Sequence, residues 1–135
     1  MSRKIEVLVV RPMEEPKVET IEDSLESYYK LIGCRHIEAV YPWEDNVAVV
    51  LDEEGKLDGQ MPNRALKGSD GTIRDVLFGT FFICGISGCE FGSITDEMSK
   101  KYGELFRSPE AYMKDRHGKV HRIVFDGSES AIVIA

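Results

Sequence analysis

No stretch of this sequence is long and apolar enough to cross a bilayer. The longest apolar run, Val76 to Ile86, is too short and is interrupted by Gly79 and Gly85. The first residues do not read as a leader, because the short apolar run from Ile5 to Val10 is broken by Glu6. A membrane partner is therefore not expected. Cysteine is scarce: Cys34, Cys84 and Cys89 are an odd number without C-x-x-C spacing. That argues against a disulfide framework and for free thiols in a reducing cytoplasm. Basic residues are the minority, 17 Lys and Arg against 24 Asp and Glu, for a net charge of −7. Such a chain repels a phosphate backbone, so duplex nucleic acid is not an expected partner. There is also no G-x-S-x-G elbow and no G-x-x-x-x-G-K-[ST] phosphate loop. Gly85-Ile-Ser-Gly88 has the wrong spacing for either.

What is present reads as one globular domain over residues 1–135, 42% hydrophobic and 30% charged. A chain of this length buries about two-thirds of its surface and needs neither metal nor disulfide to do so. Ile5, Val7 and Val9 alternate with their neighbours as a strand, and Lys17–Thr20 returns antiparallel to it past Pro12 and Pro16. Thr20 and Asp23 have helix-start spacing. Ile21, Leu25, Tyr28, Tyr29 and Ile32 form a stripe that Gly33 ends. Strands follow at Ile37–Tyr41 and Asn46–Leu51. Asp52–Gly55 reads as a tight turn with Gly55 at positive φ, and Leu57–Leu66 as irregular. Val76–Ile86 reads as one central strand. Thr95 caps a second helix whose stripe is Met98, Tyr102, Leu105 and Phe106. Lys119–Phe125 and Ala131–Ile134 read as a C-terminal hairpin. Only two helices are available as crossovers, so the expected fold is α+β, with a mainly antiparallel sheet, two helices and that hairpin.

The densest polar block is Asp52-Glu-Glu-Gly-Lys-Leu-Asp-Gly-Gln-Met-Pro-Asn-Arg-Ala65. It follows an apolar strand, where loops commonly carry function. Arg64 offers a planar fork of donors and Asn63 can both donate and accept, which suits a phosphate, a carboxylate or a base edge. Lys56 would add positive charge, and Trp43 in Tyr41-Pro42-Trp43 would stack on a ring. These four are the candidate ligand-binding residues. The alternative is structural: Asn63 capping a turn, Arg64 pairing with Glu53 or Glu54, and Trp43 as a rim residue. Glu53 and Glu54 could be read as a carboxylate pair, but adjacent turn residues point apart, and no catalytic residue is assigned. Cys84, Cys89, His117 and His121 have partly finger-like spacing, yet Cys84 lies in a core-like run, so neither metal nor cofactor is expected.

From about residue 6 to residue 112, the order of features resembles a family of small domains of unknown function found in bacteriophages and mobile elements of their hosts. The resemblance rests on a block N-E-E-G-K-L-x-G-x-x-x-N-R-A, here Asp52 to Ala65. It rests also on Ile37–Pro42, Gly79–Ile83 and Ile94–Glu97. Asp52 replaces the Asn that often heads the block, and residues 113–135 extend beyond the resemblance. The setting it implies is that of a small accessory protein acting in the host cytoplasm. The expected function is non-enzymatic binding of a small polar or nucleotide-derived ligand, sequestering a host immune signal, with the pocket completed in a homo-oligomer. The alternative is an acidic interaction module that inhibits a host protein, and a hydrolase using Glu53 or Glu54 ranks behind both.

Overall fold

The computed structural model describes residues 3–68 and 70–126, together with the backbone of 132–134. Its frame is a six-stranded antiparallel sheet built from β1 (Lys4–Val10), β2 (Lys17–Glu22), β3 (Ile37–Val40), β4 (Val47–Asp52), β7 (Phe81–Ser87) and β8 (Glu90–Gly92). The spatial order is β2-β1-β7-β4-β3, with β8 paired to β7. The central strands β1, β4 and β7 are covered on both faces, which is why they carry apolar residues at almost every position. Alternation then sorts the core into two layers. Val7, Val9, Ala48, Val50, Phe82 and Cys84 pack with Tyr28 and Ile32 of α1 (Leu25–Ile32). Leu8, Val10, Val47, Val49, Phe81 and Ile83 pack on the other face with Tyr102 and Phe106, at α2 (Asp96–Leu105) and its C-terminal cap.

A two-stranded ribbon, β5 (Pro62–Lys67) and β6 (Ile73–Phe78), lies on the α2 side, where its Leu77 joins the core. A three-stranded sheet of β9 (Glu110–Lys114), β10 (Val120–Val124) and β11 (Ile132–Ile134) completes the chain in the order β11-β10-β9. The architecture is α+β with antiparallel sheets and two helices, and hairpin pairing is present at the C-terminal end. β10 and β11 pair as Arg122 with Ile134 and Val124 with Ile132. β9 adds a further strand, and the link at residues 127–131 lies outside the described residues.

Several local expectations change. The helix-start signal at Thr20 falls in β2, and the N-cap is Ser24, whose hydroxyl accepts from the Ser27 N–H. Thr20 and Ile21 pair with β1 instead, because the sheet ladder there satisfies backbone groups that a helix start would leave open. Gly33 does end α1, at φ 78°. Thr95 caps α2 as expected, its hydroxyl accepting from the Met98 N–H. The run from Val76 to Ile86 is two strands in two sheets. Gly79 takes φ 79° between them, and its N–H donates to the Met61 carbonyl, so the chain leaves the ribbon and enters the main sheet. In the polar block the positive φ belongs to Gly59, not Gly55. The irregular segment ends in strand β5, so Asn63 and Arg64 sit in a strand rather than in a rim loop.

Candidate functional site

β5 turns its polar residues inward. Asn63 and Arg64 are both 0% exposed. The Asn63 amide donates to the Val10 carbonyl at 3.0 Å and to the Gly79 carbonyl at 2.8 Å. It thereby ties the end of β1 to the β6–β7 link. Arg64 donates from Nε to the Phe106 carbonyl at 3.0 Å, from one terminal nitrogen to Asn63 Oδ1 at 2.7 Å, and from the other to the Glu14 carbonyl at 2.6 Å. Every one of these acceptors is neutral. Burial pulls the guanidinium down to about 10, which leaves it a cation at neutral pH. Phe106 closes α2, so the charge sits at the negative end of that helix, the favourable end for a cation. The two residues therefore join three segments distant in sequence, and their donors point into the protein.

A second buried network lies beside the first. Glu110 of β9 and Arg122 of β10 form a bidentate pair, both contacts at 2.9 Å, with side chains 8% and 9% exposed. Register explains the meeting: Glu110 opposes Val124 and Tyr112 opposes Arg122, so the pair is a diagonal neighbour on one sheet face. Glu110 also accepts from the Tyr112 hydroxyl at 2.7 Å and from the Ala65 N–H at 2.9 Å, which docks the C-terminal sheet onto β5. Burial pushes the Glu110 carboxyl up, but the bonds from Arg122, Tyr112 and Ala65 outweigh it and hold it below the ordinary range.

Above this network opens a cleft of about 940 Å³ between the β3–β4 turn, α2, the end of the β5–β6 ribbon and the C-terminal sheet. Trp43, Tyr41, Tyr102 and Phe106 supply its aromatic wall. Trp43 stacks on Tyr102 with ring centroids 4.3 Å apart at 28° and meets Phe106 at 6.0 Å. The Tyr102 hydroxyl donates to Asp45, which also receives Lys101 Nζ at 2.6 Å. These bonds fix the turn that carries Trp43 against α2. Burial and the Asp45 carboxylate push the Tyr102 phenol up, so it stays protonated and serves as a donor. Lys67, Gly68 and Gly71 line the ribbon side, with Glu110 and Arg122 at the end nearest the C-terminal sheet.

The four residues singled out in the sequence do not converge. Trp43 lines the cleft; Asn63 and Arg64 are inside the protein. Lys56 borders other grooves, pairs with Asp75 at 2.7 Å and lies 5.7 Å from the Phe78 ring centroid. Tyr102, Lys101, Lys67, Glu110 and Arg122 were not signalled as a set. Tyr102 reads as helix core, and the Glu110–Arg122 meeting depends on a hairpin register that spacing alone does not give. Cys84 is buried in β7, where desolvation pushes its thiol up to about 12, so it stays an inert thiol. Among the described residues, no three His, Cys, Asp or Glu side chains gather to hold a metal ion. Also among them, no helix is long and apolar enough to cross a membrane.

No curated protein and no solved structure matches the chain. Residues 5–107 match DUF3846, a domain of unknown function, a span that takes in the main sheet, the ribbon and both helices and stops before β9. The chain belongs to this DUF3846 family.

Proposed function

We propose that the domain binds a small, polar, ring-bearing ligand of the nucleotide type in the cleft beside Trp43 and holds it without chemical change. The observation that carries this reading is the cleft itself. Its volume of about 940 Å³ falls in the range of small-molecule sites, roughly 300–1,000 Å³. It joins an aromatic wall to a few fixed polar groups, the combination that stacks a ring and reads its edges. Asp45 and Glu110 already occupy Lys101 and Arg122, so these cations orient a ligand rather than seize a bare phosphate. Lys67, exposed on the ribbon side, is the residue placed to meet a ligand anion. In the phage or mobile-element setting that the sequence resemblance implies, such a protein would sequester a nucleotide-derived host signal.

The test is thermal unfolding of the intact chain with a panel of mono-, di- and cyclic nucleotides. A ligand present at 100 times its dissociation constant stabilises the fold by about 2.7 kcal/mol. Trp43→Ala should abolish that gain while the ligand is recovered intact. A ligand that is consumed makes the protein an enzyme. A panel without any shift in melting temperature, or a shift that survives Trp43→Ala, overturns the reading.

A further inference from the structure

A groove of about 600 Å³ separates the β5–β6 ribbon from the tip of the β9–β10 hairpin, away from Trp43. Ile73, Met113 and Val120 line it and are 45%, 60% and 49% exposed, large apolar side chains left in water on two neighbouring elements. Three cations, Lys56, Arg74 and Lys114, border the same groove, and Arg116 and Lys119 follow on the exposed hairpin tip. This local character departs from that of the whole chain. Up to Phe106 there are twelve Lys and Arg against twenty Asp and Glu; from Arg107 onward there are five against four.

From these observations we infer that the groove docks an acidic, apolar segment of a partner protein. The apolar floor would take alternate Leu-, Ile- or Phe-like side chains, and the cations would meet the carboxylates between them. β6, which lines the groove, is hydrogen-bonded on one side only, to β5, so an extended segment also finds an open strand edge beside it among the described residues. Lys56 already faces Asp75 at 2.7 Å and Arg74 faces Asp70 at 3.4 Å. Those carboxylates leave Lys114, Arg116 and Lys119, at the hairpin end of the groove, as the cations that a partner's carboxylates would meet, and the walled shape suits a segment rather than a flat bilayer.

The experiment is selection of a random dodecapeptide display library on the intact chain, followed by fluorescence anisotropy with labelled synthetic winners. Enriched peptides should alternate Asp or Glu with large apolar residues. Met113→Asp and Val120→Asp should each weaken them at least tenfold. Lys114→Glu should weaken them several-fold and flatten the salt dependence. Both apolar positions are well exposed, so these variants should keep the wild-type melting temperature; Ile73→Asp serves as an independent variant of the same floor. No enrichment, winners without acidic residues, or winners indifferent to all three apolar substitutions overturns the inference. So does a concentration-dependent dimer that Met113→Asp dissociates, which would assign the groove to a second copy.

Discussion

Arg64 and Arg122 are both buried arginines within one polar region, and they solve the same electrostatic problem in opposite ways. Arg122 meets a carboxylate through two bonds, and the pairing with Glu110 raises its pKa. Arg64 meets only neutral oxygens, on Phe106, Asn63 and Glu14, and burial lowers its pKa. Arg122 acts as half of an ion pair that docks the C-terminal sheet on β5. Arg64 acts as a set of donors that gathers the β1–β2 turn, β5 and the end of α2 around one planar group. The difference shows that a polar block in a sequence can be a fastening as readily as a binding site. What separates the two roles is whether the donors face inward or outward.

The largest expected loss belongs to Arg64. Arg64→Met should destabilise the fold by about 4 kcal/mol, because the Phe106 carbonyl and the Asn63 amide oxygen lose their donor in a buried place and the part-buried bond to the Glu14 carbonyl is lost with them. Urea unfolding checks this; an unchanged midpoint would return Arg64 to the list of ligand residues. Glu110→Ala should cost about 3 kcal/mol by leaving Arg122 charged, buried and unpaired. In that variant, replacing Arg122 by Met as well should recover part of the loss, whereas no second substitution at a charged residue should rescue Arg64→Met.

Acid distinguishes the two networks at smaller amplitude. Glu110 is held below its ordinary value of 4.5, so its contribution is fully present above that pH and is lost as pH falls through the depressed folded value. Stability measured from pH 5 downward should therefore decline less steeply in Glu110→Gln than in the wild type. Arg64 does not titrate there, and an Arg64→Lys variant should keep the wild-type slope. The smallest effect belongs to the surface: Lys56 and Asp75 are 58% and 51% exposed, and Lys56→Ala should change stability by no more than about 0.5 kcal/mol. A larger loss on denaturation would show that the Lys56 contact with Phe78 matters more than its charge.

Much of the main sheet is legible in sequence because its signals are local. Alternation marks β1 and β3, the valine run marks β4, and Thr95 and Gly33 mark helix ends through side-chain and backbone chemistry within a few residues. β5 escapes because hydrophobic periodicity cannot see a strand whose most buried residues are Asn63 and Arg64. β6 and β7 merge because composition is continuous across Gly79 while sheet membership is not. Of the cleft, Trp43 is visible beside a polar turn. Its companion Tyr102 lies 59 residues further on in a helical stripe, and Glu110 and Arg122 join only through the hairpin register. Those relations are set by packing between elements, which no single segment records.

Under the proposed function, ligand recognition lies at Trp43, while the Asn63–Arg64 pair ties β1, β5 and the end of α2 together. Trp43 is the chain's single tryptophan, so its fluorescence reports on that wall alone. Titration of the intact protein with the nucleotide panel should give a saturable change in Trp43 emission at the concentrations where calorimetry detects binding. Binding detected by calorimetry with the emission of Trp43 unchanged would contradict the account and place the ligand elsewhere on the molecule.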